Sequence, residues 1–245
     1  MQKKHLVFIP VYNEEDTIEE IVDQIRQLPY NLEILVIDDG SSDGTREILT
    51  QLSGIRMVLH SENLGYGQTL IDGFQYASDL GFDYLITIDS DKQHQPGEIP
   101  LFLEKADNGS WDIISGSRYL GASSENYLEA PEDRVKVNQR ITQKINQLTG
   151  YHLTDTFCGF KMYRVKALQK LHLKETGYGM PLELWIQAWK NNLSITEVPV
   201  KLIYFDHRLE EATPLRTFRR YRYYLQIIEN ETHKYETTDI SRAPR

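Results

Sequence analysis

Short apolar runs, each followed by a stretch of helical period, limit this chain to few architectures. The runs are Leu6 to Ile9, Ile34 to Ile37, Ile55 to Leu59, Tyr84 to Ile88 and Ile113 to Ile114. Unbroken hydrophobicity with β-branched content suits strands covered on both faces, as in a parallel sheet. Between the first two runs, Ile18, Ile21, Val22, Ile25 and Leu28 recur at helical spacing; Asp16 is the expected N-cap, with Glu19 three residues on, and Pro29 ends the run. Thr45, Ile48, Leu49 and Leu52 predict a second helix, and Leu70, Ile71, Phe74 and Ala77 a third, closed by Gly81. Ile99, Phe102, Leu103 and Ala106 predict a fourth. This alternation predicts an α/β fold, a doubly wound and mostly parallel sheet. Such a sheet gathers the turns leaving its strands at one rim, where ligands bind.

The pattern loosens after Tyr119. Gly121 to Glu132 reads as a surface loop, followed by a helix through Val137, Ile141, Ile145 and Leu148. A helix around Leu184 to Trp189 precedes a strand from Ile195 to Phe205, whose Pro199 favours an edge. No strong linker precedes Thr213, so 1–212 reads as a single domain and 213–245 as a basic amphipathic helix with a frayed tail from about His233. Leu215, Phe218, Tyr221, Leu225 and Ile228 form the apolar stripe of that helix, with Arg216, Arg219, Arg220 and Arg222 beside it. Such a helix either packs on its own domain or lies on an anionic membrane surface through 213–230.

A net charge of −9 argues against nucleic-acid binding, which needs a basic face. With Cys158 as the single cysteine, no intrachain disulfide can form and a reducing cytoplasmic setting is expected. No signal peptide is recognisable, and no apolar run approaches the roughly 20 residues of a membrane span. The expected location is cytoplasmic, with peripheral contact on the inner membrane face as the membrane-bound alternative.

Polar residues concentrate where strands end. Pro10-Val11-Tyr12-Asn13-Glu14-Glu15 follows the first run, Asp38-Asp39-Gly40-Ser41-Ser42 the second, and Asp89-Ser90-Asp91-Lys92-Gln93 the fourth. Acid-bearing turns brought to one rim repel one another unless a cation or hydrogen-bond donors lie among them. Asp89 and Asp91 alternate along extended backbone and can lean to one side; with the Gln93 amide they form an oxygen donor set suited to Mg2+ or Mn2+. The plainer alternative makes Asp89 a turn cap and Asp91 a solvated acid. Asp38-Asp39 likewise reads as an Asx-turn, or as Asp39 accepting hydrogen bonds from a base or ribose. Tyr12 can stack on a base or simply pack. Asn63-Leu64-Gly65-Tyr66-Gly67-Gln68 lacks the Lys-Ser/Thr of a P-loop and reads as a tight turn feeding a helix whose N-terminus faces the rim.

The ordered set IPVYNEEDTI, LVIDDGSSDGT, ENLGYGQTLIDGF, ITIDSDKQHQP, IISGSRY and DTFCGFKMYR resembles family-2 glycosyltransferases, in particular the dolichol-phosphate and polyprenyl-phosphate mannosyl- and glucosyltransferases. The resemblance runs from about His5 to Arg208 and implies a GT-A fold, an inverting mechanism, a nucleotide-sugar donor and a divalent metal. By that resemblance Pro10, Tyr12, Glu14 and Asp39 hold the nucleoside, with Asp38 and Ser90 in the same donor set. Asp89, Asp91 and Gln93 hold metal and diphosphate. Arg118, Arg134 and Arg208 meet the acceptor phosphate, and Asn138 stands where those relatives tend to carry Ser. Asp89, Asp91 and Arg118 are the residues assigned to catalysis.

A lipid phosphate is already an anion near neutral pH and needs arginine to align it, whereas a sugar hydroxyl needs a general base. Asp155 and Glu183 are candidates for such a base, or for positioning acids. The leading expectation is therefore transfer of a hexose from a GDP-mannose or UDP-glucose type donor to a polyprenyl or dolichyl phosphate. The alternatives are a saccharide or other soluble hydroxyl acceptor, and a non-catalytic nucleotide-sugar-binding partner subunit.

Overall fold

The computed structural model describes residues 3–121, 132–201, 203 and 214–240. β1 (His5–Val11), β2 (Leu32–Asp38) and β4 (Tyr84–Thr87) run parallel, with β1 between the other two. Their apolar residues are almost wholly buried because helices cover both sides. On one face pack α1 (Ile18–Arg26), α2 (Thr45–Gln51) and α4 (Ile99–Asp107), through residues such as Ile18, Leu49 and Phe102. On the other pack α3 (Tyr66–Asp79), α5 (Glu132–Thr149), α6 (Val165–Leu168), α7 (Met180–Lys190) and α8 (Pro214–Ile240), through residues such as Phe74, Ile141, Leu168, Trp185 and Ile228.

The full strand order is β3-β2-β1-β4-β6-β5-β7, with β3 at Arg56–Leu59, β5 at Ile113–Ser117, β6 at Lys161–Arg164 and β7 at Ile195–Pro199. Every pairing is parallel except those of β6, which runs antiparallel to both β4 and β5. The expectation of a single, doubly wound, mostly parallel α/β domain holds. The antiparallel strand was not expected. Because it enters from the rim, the residues leading into β6 lie between the exits of β4 and β5.

Several local expectations need correction. β3 is an edge strand with Arg56, Met57 and Leu59 exposed, so it is not covered on both faces. The residue before α1 is Thr17, not Asp16; its hydroxyl donates to Glu14 and accepts no N–H of the helix. β7 stops at Pro199, paired with Ser117, instead of continuing to Phe205. Pro199 does lie on an edge of the sheet formed by the described residues, where β7 pairs with β5 alone. α8 continues to Ile240, beyond the expected fraying point. It packs on α5 and α7 through Tyr224, Ile227 and Ile228, while Phe218 of the expected stripe faces outward at 56% exposure. Most of the expected 121–132 loop lies outside the described residues, although Glu132 already begins α5.

Candidate active site

The exits of β1 and β2 are sewn together. Asn13 takes a left-handed backbone (φ 55°); its N–H donates to Ser41 Oγ (2.9 Å), and its side-chain oxygen accepts from Ser42 N–H (2.8 Å). Glu14 N–H donates to Thr45 Oγ1 (2.8 Å). Pro10 is buried, and its carbonyl accepts from Ser90 Oγ at 3.2 Å, joining the β1 and β4 exits. Tyr12 stays 48% exposed at the rim. The two aspartates after β2 serve different partners. Asp38 accepts from Arg46 Nε and Nη2 (3.1 and 3.0 Å) and from Ser41 N–H. Asp39 accepts from the N–H groups of Leu64 and Gly65 and lies 2.8 Å from His60 Nδ1. Asp39 thus pins the 63–65 turn against the rim.

Gly40 between these turns is required by geometry. Its φ is +73°, and a Cβ there would lie 2.4 Å from the Glu62 carbonyl carbon. Tyr66, in the first turn of α3, does face the rim, as expected. The N–H groups of Gly67 and Gln68 are nonetheless taken by the Thr176 carbonyl, so this helix start is already capped from within the chain.

Asp89 and Asp91 follow β4. Asp89 accepts from the Tyr66 hydroxyl (3.2 Å) and lies 3.3 Å from Nε2 of the buried His94, whose Nδ1 has no hydrogen-bond partner among the described residues. Burial alone would raise the Asp89 carboxyl, but the partners His94 and Tyr66 outweigh it and hold the group below its ordinary value. Asp91 goes the other way: burial first, then the charge of Asp89, push it up to about 6. Such opposed shifts mark two carboxylates crowded in one low-dielectric place, a crowding that a cation relieves.

Among the described residues no three His, Cys, Asp or Glu side chains group around one point. Two carboxylates and an amide would leave coordination positions open for a substrate, the usual manner of Mg2+. By their crowding Asp89 and Asp91 fit a Mg2+ or Mn2+ ion, and Gln93 is tied beside them through its N–H, which donates to Asp91 Oδ1 (3.0 Å).

Arg118 lies just beyond β5. Its Nε and Nη2 form a fork on Asp155 (2.7 and 3.0 Å), and the same carboxylate accepts from Asn138 Nδ2 (2.8 Å). Asp155 is fully buried; burial would raise its carboxyl, but the Arg118 charge and these hydrogen bonds hold it at about 2. Asn138 in turn accepts from Thr142 Oγ1 at 2.9 Å. Burial raises the Tyr224 phenol of α8, opposed in part by the charges of Arg220 and of Arg134 near the start of α5. The structure thus joins Arg118 with Asn138 through Asp155 and places Arg134 by α8. Arg208 lies outside the described residues.

The two acids considered as bases have other work. Asp155 is ion-paired, and Glu183 is 2% exposed, accepting from the N–H groups of Lys174 and Glu175 and from Gln187 Nε2.

Residues 6–172 match the family model described as Glycosyl transferase family 2. The chain belongs to that family. This glycosyltransferase is 30% identical over 225 residues to the UDP-N-acetylglucosamine–dolichyl-phosphate N-acetylglucosaminyltransferase of Methanococcus voltae, spanning 84% of this chain and 88% of that one. It is 30% identical over 207 residues to the polyprenol monophosphomannose synthase of Mycolicibacterium smegmatis, spanning 81% and 77%. Among solved structures, glucosyl-3-phosphoglycerate synthase of Mycobacterium tuberculosis with Mn2+, UDP and phosphoglyceric acid aligns at a TM-score of 0.69 and 21% identity, over 94% of this chain and 78% of that one. The GT-A fold expected from the motifs is thereby shown.

Contacts at the rim also involve residues to which reading the sequence assigned no role. His60, Tyr66, His94, Gly159 and Lys161 all bear on it. Tyr66, His94, Gly159 and Lys161 stood inside quoted motifs, which was the available signal; His60 lay outside them, and its partners Asp39 and Asp72 are distant in sequence.

Proposed function

We propose that this glycosyltransferase moves a hexose, with inversion, from a nucleoside-diphosphate sugar of the GDP-mannose or UDP-glucose type to a polyprenyl or dolichyl phosphate. The single observation that carries the choice of acceptor is that Asp155 and Glu183 are buried and committed to other partners. A hydroxyl acceptor would need a proton acceptor of that kind, whereas a phosphate monoester attacks as an anion. The printed names of the relatives from Methanococcus voltae and Mycolicibacterium smegmatis, one a dolichyl-phosphate transferase and one a polyprenol monophosphomannose synthase, support the same reading.

In this scheme Pro10, Tyr12, Glu14, Asp38, Asp39 and Ser90 build the donor wall. Asp89, Asp91 and Gln93 hold Mg2+ or Mn2+, which when bound offsets charge developing on the leaving diphosphate. Arg118 holds the acceptor phosphate in line, oriented by Asp155 and Asn138, with Arg134 and Arg208 as further phosphate contacts. The fork from Asp155 fixes the guanidinium plane, so approach of the phosphate needs no search over rotamers. No described helix is long and apolar enough to cross a membrane. Access to a lipid substrate is by peripheral contact of a cytoplasmic protein with the inner membrane face, through the outward side of α8. That side carries Phe218, Arg216, Arg219 and Arg222, all exposed.

The test is incubation with labelled GDP-mannose, UDP-glucose and UDP-N-acetylglucosamine, with and without Mn2+, in the presence of vesicles containing polyprenyl phosphate. Metal-dependent label extractable into organic solvent is the expected result. Product on soluble acceptors alone would overturn the acceptor assignment; donor binding with no turnover on any acceptor would make the protein a binding subunit.

A further inference from the structure

Lys161 is 2% exposed, too deep for its ammonium to reach water. Among the described residues no carboxylate stands within ion-pairing distance of it. Its Nζ donates to the Cys158 carbonyl and lies over the Trp185 ring, 5.5 Å from the centroid. Burying an ammonium on one carbonyl and one ring is expensive, and an apolar side chain of similar length would pack there at less cost. Burial indeed lowers its proton affinity, countered by attraction to Asp155 and Asp89.

The position explains the expense. Lys161 opens β6 and is paired in register with Thr87 of β4 and Ser115 of β5. The chain leading into it, 155–160, lies between the exits of those two strands. Toward β4, the Gly159 carbonyl accepts from Thr87 Oγ1 (2.6 Å), and a Cβ on Gly159 would fall 2.2 Å from Asp89 Oδ2. Toward β5, Asp155 grips Arg118. Trp185 Nε1 donates to the Thr156 carbonyl at 3.0 Å, so the ring under the ammonium braces the same turn.

We propose that Lys161 is a positioning residue whose buried ammonium staples the 155–159 turn, setting Asp89 on the donor side and Arg118 on the acceptor side from one internal point. The inference deepens the transferase reading and rests on it for the roles of those two residues.

The first arm of the test needs no activity: Mn2+ alone is titrated into wild type, Lys161→Met, Lys161→Arg and Gly159→Ala, with melting temperatures measured alongside. Lys161→Met is expected to weaken Mn2+ by about 10–100-fold, the range seen when partners orienting metal ligands are removed. Lys161→Arg, which keeps a cationic donor beside Trp185, recovers most of that loss. Gly159→Ala, which pushes a methyl at Asp89 from the other end of the turn, reproduces it and keeps the inference testable where Lys161→Met does not fold. In the second arm, transfer by Lys161→Met shows both a lower kcat and a higher KM for polyprenyl phosphate, because Arg118 is loosened too.

A folded Lys161→Met with wild-type Mn2+ affinity and turnover overturns the proposal. So does a loss that tracks melting temperature and is not relieved by arginine, which would make Lys161 simple filling. A wild type that binds no Mn2+ overturns this proposal and the metal reading together. A wild type that binds Mn2+ and responds as expected in the first arm, yet transfers nothing to lipid phosphate, removes the acceptor assignment and leaves the staple on the donor side standing.

Discussion

Replacing Asp155 by Asn removes one negative charge and almost no volume, and its consequences can be worked from the geometry. The carboxyl is held at about 2 against an ordinary 3.8, chiefly because the nearby Arg118 and its hydrogen bonds overcome the opposing effect of burial. That depression corresponds to about 2 kcal/mol of folded-state stability at neutral pH. The asparagine also leaves the Arg118 guanidinium, whose side chain is only 13% exposed, without its counter-charge. Breaking a buried pair from one side costs about 3–5 kcal/mol in all.

The pH dependence follows from the direction of the shift. A carboxyl held below its unfolded value contributes fully above that value and loses its contribution as pH falls through the folded one. The stability gap between wild type and Asp155→Asn should therefore be widest at neutral pH and narrow from about pH 4 toward pH 2. Urea unfolding across that range measures it. A gap below about 1 kcal/mol at neutral pH, the worth of an exposed pair, would refute the reasoning, as would a gap that stays constant through the acid range. In transfer assays the same variant should lose turnover, since an unanchored guanidinium no longer presents a fixed plane to the acceptor phosphate.

Asp91→Ala should abolish metal-dependent donor binding in calorimetry, and unchanged affinity would count against the rim. Because the Asp91 carboxyl stands at about 6, a cation must displace its proton in acid, so Mn2+ affinity should be flat above that pH and fall by about tenfold per pH unit below it. The same raised value disfavours the charged form in the metal-free fold, so metal-free Asp91→Asn should melt above wild type at pH 7.5, with the advantage disappearing toward pH 4. Gly40→Ala combines a left-handed backbone with a 2.4 Å approach to Glu62 and should destabilise the fold by about 2 kcal/mol or more in denaturant titration. Reversing the charge of Arg219 and Arg222 together should reduce co-sedimentation with anionic vesicles by at least about tenfold, at near 1 kcal/mol per basic residue, while leaving thermal stability unchanged; equal sedimentation would remove α8 from the membrane.

What could be read directly was what depends on near neighbours along the chain. Strand runs such as Leu6 to Ile9, helical periods such as Ile18 to Ile25, and the polar turns after β1, β2 and β4 are local patterns, and together they specified a mostly parallel sheet with an acidic rim. Asp89 and Asp91 could be singled out because they stand two residues apart where an apolar run ends.

The rest depended on pairings that local pattern does not encode. Lys161-Met162-Tyr163-Arg164 is too short and too charged at its ends to announce a strand, and only its pairing with β4 and β5 shows that it runs backwards between them. That insertion puts Asp155 against Arg118 across 37 positions of sequence, converting a candidate base into a clamp. It also buries Lys161, a residue type that sequence alone assigns to the surface. Sequence by itself determined which chemistry this chain carries, because side-chain type and short-range period are local. Only the tertiary structure decided which charges neutralise each other and which remain for a substrate, because Coulomb and desolvation energies depend on distance and burial, and the fold alone sets both.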